Sequence, residues 1–175
     1  SRGGHQQQQQ HQQNQQQKNI PAILKRMTRL LSHRGPDDEG MFVDPAGRCD
    51  LGFRRLSIID VSAKGHQPMF DREKTIALVF NGEIYNFKDI RVELEKKYSF
   101  TSHIDTEVII NAYKVWGIEC VHRFNGMFAF ALYDIRAEKL FLVRDRLGVK
   151  PLYYTHLDVH HDINNATRNG NVLLF

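Results

Sequence analysis

Cysteine is scarce in this chain: Cys49 and Cys120 are the only two among 175 residues. Two thiols in a domain of this size make no disulfide framework, and no Cys-x-x-Cys or Cys/His spacing suggests zinc. The scarcity points to a reducing compartment, and a cytoplasmic location is expected. Long apolar runs are also missing. The longest, residues 127–133, has seven members, against about 20 for a membrane-spanning helix, so no membrane partner is expected. The chain opens on Ser1, not Met, and lacks the apolar core of a secretory signal; it reads as a fragment or a processed form. The net charge of +4 is small, and Arg2 and Lys18 supply half of it from a head without acids, leaving 22 basic against 20 acidic residues. That balance gives no footing for a nucleic-acid partner.

The head itself is extreme in composition. Ten of the 13 residues from 5 to 17 are glutamine and none is apolar, so nothing there can offset the entropy of ordering it. Residues 1–18 are expected to form a disordered Gln-rich tail and 19–175 one domain. Ile20, Ile23, Leu24, Met27, Leu30 and Leu31 follow helical spacing, with Pro21 in the first turn and Gly35-Pro36 as the stop. Extended runs at 41–44 and 51–59 flank Pro45-Ala46-Gly47 and read as a hairpin. Residues 75–80 are continuously apolar or β-branched and read as a buried strand. Asn86 caps a predicted helix to about Tyr98, with Ile90 and Leu94 inward; Asp105 or Thr106 caps another through Ile109, Ile110, Tyr113 and Trp116, stopped by Gly117. Strands follow at 127–133, 139–143 and 172–175, while 156–171, rich in His, Asp and Asn, reads as a solvent loop at the tip of a hairpin. Strands, then helices, then strands make an α+β fold with antiparallel sheets.

Four polar clusters lie at the ends of these elements, where sites are commonly built. His33-Arg34-Gly35-Pro36-Asp37-Asp38-Glu39-Gly40 could be a helix stop with Arg paired to Asp. Arg54-Arg55-Leu56-Ser57-Ile58-Ile59-Asp60 places guanidinium groups in a strand otherwise suited to burial; a substrate carboxylate or a structural Asp would satisfy one. Asn81-Gly82-Glu83, after the buried strand, can build an oxyanion hole from an amide side chain and a backbone N–H, or make an Asn-Gly tight turn. Asp105-Thr106-Glu107 can be a helix cap and nothing more.

Taken in order, these clusters are far more specific. The stretches HRGPDDEG (33–40), LGFRRLSIID (51–60), GHQPM (65–69), FNGEIYNF (80–87), DTEVI (105–109), FNGMFAFALYD (124–134) and RDRLGVKPLYY (144–154) span about seven tenths of the chain. Together they resemble the N-terminal class II glutamine amidotransferase domain of asparagine synthase (glutamine-hydrolysing). They differ around the arginine strand from the phosphoribosyl and glucosamine branches of that class. The resemblance implies an N-terminal-nucleophile hydrolase fold: a four-layer αββα sandwich with antiparallel sheets, its opening strand missing here.

The resemblance also implies that the family's glutamine site falls on Arg55, Leu56, Ser57, Ile58, Ile59, Asn81, Gly82, Glu83 and Asp105. Arg55 would clamp the α-carboxylate. Asp105 and the Gly82-Glu83 turn would hold the α-ammonium, and Asn81 with the Gly82 N–H would form the oxyanion hole. The family's nucleophile is an N-terminal cysteine whose amine acts as base; residues 4–12, where its strand should lie, are glycine, histidine and glutamine, and Ser1 has no strand behind it. No metal or cofactor is implied for this domain. ATP and Mg2+ belong to a C-terminal synthetase domain, the expected partner within the parent chain, where ammonia from glutamine would convert an activated aspartate to asparagine; a homodimer of the parent stays open. Two other readings are a pseudo-amidotransferase that only binds glutamine and the same domain of another amide-forming ligase. Outside the glutamine site, His156, His160 and His161 with Asp158 and Asp162 read as a solvated insert in place of a metal site. Arg144-Asp145-Arg146 reads as an ion-paired turn.

Overall fold

The computed structural model describes residues 21–56, 65–163 and 166–175, with 157–163, 166–172 and 174 as backbone alone. The Gln-rich tail therefore lies outside the described residues, as do Ser57, Ile58 and Ile59. A first helix, α1, covers residues 21–30 and unwinds through a turn to 34. Strands β1 (Asp38–Val43) and β2 (Asp50–Arg55) form an antiparallel hairpin, pairing Asp38 with Arg55 and Val43 with Asp50. Then come β3 (Met69–Phe70), β4 (Ile76–Ile84), α2 (Phe87–Leu94), α3 (Asp105–Trp116), a 3-10 helix (Gly117–Arg123), β5 (Gly126–Asp134), β6 (Lys139–Arg144), β7 (Thr155–Ile163) and β8 (Ala166–Leu174).

Strands β3-β4-β5-β6 make one antiparallel sheet in that order. Its middle strands are the two most apolar runs of the sequence, as expected of strands covered on both faces. Alternation decides what each face meets. Ile76, Leu78, Phe80 and Ile84 of β4 join Phe128, Phe130 and Leu132 of β5 in a core closed by Ile90 and Leu94 of α2, Val108–Ile110 and Ala112 of α3, and Cys120 of the 3-10 helix. On the opposite face Ala77, Ala131 and Tyr133 pack with Cys49 and Leu51 of the hairpin. The Tyr133 hydroxyl crosses that layer to donate to Asp44 Oδ2 at 3.0 Å. Thr28 of α1 is buried, in the space left by the missing side chain of Gly52 in β2. Among the described residues no helix is long and apolar enough to cross a membrane.

Several sequence expectations need correction. The helix forms at 21–30, but Ile23, Met27, Leu30 and Leu31 of its apolar stripe stay exposed, Leu30 at 71%, because α1 meets β2 through Thr28. Asn86 precedes α2 without capping it: its side chain is bonded to the Arg123 carbonyl and the Asn125 N–H, each at 2.9 Å, and the helix ends at Leu94. The hairpin expected around residues 156–171 forms, but its strands take up most of the stretch read as its loop. The backbones of β7 and β8 pair antiparallel from Thr155↔Leu174 to Ile163↔Ala166. The side chains of His160, His161, Asp158 and Asp162 lie outside what is described.

Candidate functional site

The edge of β4 is built from unlike pieces. β3 has two residues, paired with Leu78 and Ala77, and it begins immediately after Pro68. Proline has no N–H, so the ladder cannot continue back through that position. The side chain of Gln67, joined to Pro68 by a cis peptide bond, takes over. Its Nε2 donates to the Phe80 carbonyl at 3.2 Å, and its Oε1 accepts the Phe80 N–H at 2.6 Å. A buried amide thus supplies the two bonds that a neighbouring backbone would have made.

Two positions beyond Phe80 stands Gly82. It faces Phe128 of β5, but Phe128 donates its N–H to Asp145 Oδ2 (3.1 Å) and accepts the Asp145 N–H on its carbonyl (2.8 Å). Gly82 and Phe128 are therefore a non-hydrogen-bonded pair, and the Gly82 N–H points to the edge away from β5, the same side as that of Phe80. Its φ is 151°, and a Cβ there would overlap the Met127 carbonyl and lie 2.6 Å from Phe128 Cα. Only glycine fits both conditions. Asn81 and Glu83 alternate to the other face, the one on which Ala77 packs against the hairpin; Asn81 is exposed and Glu83 half-buried.

Asp105 closes the edge from the helical side. It is the first residue of α3, with Ile104 at the cap position, so it does not cap the helix. Its Oδ2 accepts the Ile84 N–H at 2.9 Å. Burial raises its pKa; the Ile84 N–H opposes that shift and the nearby Glu83 charge adds to it. Asp105 is thus a half-buried carboxylate one strand position from Glu83.

Arg55 ends β2 on the neighbouring hairpin, with its guanidinium laid over Gly65, where any side chain would overlap it. The segment after Gly65 ties the two parts together. His66 Nδ1 lies 2.8 Å from Asp38 Oδ2, and Gln67 bonds Phe80, the residue before Asn81. Arg54 is structural: it donates to the Gly35 carbonyl at 2.7 Å and to Glu39 Oε2 at 2.8 Å. The first cluster accordingly braces Glu39 to Arg54 and Asp38 to His66.

The structure brings Asn81, Gly82, Glu83 and Asp105 together, and Asn81-Gly82 is extended strand, not a tight turn after it. Leu56 follows β2 with its side chain exposed. Sequence reasoning missed Gln67 as an individual, although an amide before a proline that interrupts a strand was a legible signal. It also misread Asp145. This carboxylate accepts the N–H groups of Phe128, Leu147, Val149 and Lys150 and is held down to about 2, chiefly by the Lys150 bond. Arg144 and Arg146 bond backbone carbonyls of Lys150, Gly148, Phe124 and His122, and among the described residues this turn has no ion pair. Cys49 and Cys120 are both buried, and burial pushes each thiol up to about 12.

Comparison with known proteins bears on this arrangement. The sequence profile of the glutamine amidotransferase domain matches residues 8–168. Glutamine-hydrolysing asparagine synthetase 1 of Bacillus subtilis is 43% identical over 137 residues, 78% of this chain and 21% of that protein. Amidase chry2 of Gibberella zeae is 38% identical over 138 residues, 79% of this chain and 21% of that protein. The chain thus spans about a fifth of the length of these relatives. Among solved structures, the glutamine phosphoribosylpyrophosphate amidotransferase of B. subtilis, complexed with ADP and GMP, superposes with a TM-score of 0.50 over 61% of this chain and 25% of its own, at 21% identity. That likeness speaks to the fold alone.

Proposed function

The chain belongs to the glutamine amidotransferase domain family, and from that premise we propose that it carries the glutaminase site of an asparagine synthetase. In the full-length protein, glutamine is hydrolysed to glutamate, and the ammonia serves ATP-dependent conversion of aspartate to asparagine. The observation that carries this reading is the short stretch Asn81-Gly82-Glu83, with the Gly82 N–H turned to a strand edge closed at one end by Asp105. Arg55 takes the substrate α-carboxylate as a planar, permanently charged fork, and Leu56, Ser57, Ile58 and Ile59 are the further residues that the family resemblance assigns to glutamine. Asp105 and the Gly82-Glu83 backbone take the α-ammonium. The glutamine side-chain carbonyl then lies against Asn81 Nδ2 and the Gly82 N–H. Once the parent protein's nucleophile adds to the amide carbon, these two neutral donors stabilise the negative oxygen of the tetrahedral intermediate, which collapses with loss of ammonia. The layer order, α1 on the hairpin, the hairpin on the larger sheet, and that sheet on α2 and α3, supports an αββα sandwich. ATP and Mg2+ belong to the synthetase domain, and no step in this chain runs through them.

One observation favours a second reading, a domain that binds glutamine without hydrolysing it. Cys49 and Cys120 are both buried in the core, out of reach of a substrate, and burial pushes each thiol up, which argues against either as the nucleophile. The similarity to amidase chry2 favours a third, the same domain serving another amide chemistry. The test uses the parent protein. Asn81→Ala should lower glutamine-dependent turnover about a hundredfold or more and leave synthesis from added ammonia unchanged, whereas Arg55→Ala should act mainly on the KM for glutamine. Equal loss of glutamine- and ammonia-dependent synthesis in Asn81→Ala would sink the assignment.

A further inference from the structure

We propose that Gln67 is a positioning residue for the glutamine site: its side-chain amide stands in for a strand at Phe80, so that Asn81 and the Gly82 N–H are presented at an edge with no backbone partner among the described residues. The proposal rests on the glutamine-site reading above and assigns that site a residue outside its contact set.

The geometry distinguishes this role from ordinary core packing. Had β3 continued past Met69 as a regular strand, its backbone would have paired with Phe80 and then with Gly82, covering the N–H the oxyanion needs. Pro68 ends that ladder. The residue next to that proline must satisfy the N–H and C=O of Phe80, which are buried with it, and must reach no further. One primary amide does this, because it carries one donor and one acceptor side by side on a single side chain. Asp105 makes the matching attachment at Ile84. Among the described residues the edge is therefore held at positions 80 and 84 and open at 82. Gln67 is itself fixed, since its carbonyl packs so closely on Gly40 of β1 that a side chain there would overlap it. The amide thus couples the hairpin that ends in Arg55 to the strand that carries Asn81.

Amide exchange by NMR on this chain, with titration of L-glutamine, tests the assignment. In the unaltered chain the Phe80 and Ile84 amides should exchange slowly and Gly82 rapidly, with added L-glutamine slowing Gly82. Gln67→Leu keeps the apolar volume and removes both bonds. It should speed Phe80 exchange at least tenfold, shift the Gly82 and Asn81 side-chain amide resonances, and weaken L-glutamine binding about tenfold. Gln67→Glu separates positioning from stability: an ionised carboxylate accepts from Phe80 but cannot donate, whereas the protonated acid does both. Its affinity relative to the unaltered chain should therefore recover as the pH falls, and this arm decides the matter if Gln67→Leu does not fold. A folded Gln67→Leu chain with unchanged Asn81 and Gly82 resonances would overturn the proposal, as would a Gln67→Glu affinity ratio indifferent to pH. If the unaltered chain binds no L-glutamine, the site reading falls instead, and the Asn81 and Gly82 resonances still decide the role of Gln67.

Discussion

Replacing Gly82 with alanine perturbs the centre of the proposed site by a single methyl group, and the structure sets the scale of the damage. The added Cβ would lie 2.6 Å from Phe128 Cα and 2.9 Å from Phe128 Cβ, and would overlap the Met127 carbonyl. These are backbone or backbone-fixed atoms, so no rotamer change relieves them. Nor can β5 retreat, because Asp145 bonds both the N–H and the carbonyl of Phe128 from the far side. A φ of 151° costs a non-glycine residue about 1–3 kcal/mol, and overpacking adds about 1–3 kcal/mol. With about 2–4 °C lost per kcal/mol in a domain of this size, thermal melting followed by circular dichroism should show a fall of roughly 10 °C. Gly47→Ala is the internal control. Gly47 also has a positive φ, 68°, but nothing lies within 4 Å of its missing side chain, so it should cost only about 1 kcal/mol. A Gly82→Ala melting point within a degree or two of the Gly47→Ala value would refute the close-approach reasoning.

Other expectations concern the charged and nucleophilic groups. Asp105→Asn keeps an acceptor for the Ile84 N–H and removes a half-buried charge, so it should raise the melting temperature while abolishing glutamine binding; a variant that lost both would assign Asp105 to the fold alone. The sign in pH is fixed by the raised pKa of Asp105: its contribution to stability is fully present below the ordinary carboxylate value and lost as pH rises through the raised one. Asp145 behaves oppositely. Held at about 2, it contributes stability above its usual 3.8 that is lost as pH falls toward 2, and acid titration of unfolding should show this loss in the native chain and not in Asp145→Asn. Finally, neither Cys49 nor Cys120 should react with iodoacetamide at pH 8 in the folded chain, as read by intact mass, because burial keeps both protonated. Rapid labelling of either would reopen the question of the nucleophile.

The centre of the fold was legible because local signals and tertiary burial agree there. Residues 76–80 and 127–133 are apolar without interruption, and the structure covers them on both faces. Where a residue type has two common uses, local reading divided. Asn81-Gly82 carries the signature of a tight turn, and only pairing with Ala129 and Phe128 across the sheet shows it to be strand. Asp105 has the place and chemistry of a helix cap, yet its carboxylate reaches 21 residues back to Ile84. Gln67 was missed and Asp145 misread for a related reason: each serves backbone groups, and the fold decides which backbone groups a side chain reaches. The stripe of α1 failed differently. Helical spacing fixes which residues share a face, but not which face meets the protein, and Thr28 took the buried position.

The most direct measurement is calorimetric titration of L-glutamine into this chain and into Arg55→Ala. A saturable one-to-one isotherm with the unaltered chain, lost in Arg55→Ala, is the expected result. No binding heat, or the same isotherm from both, would contradict the assignment of a glutamine site to Arg55, Asn81, Gly82, Glu83 and Asp105.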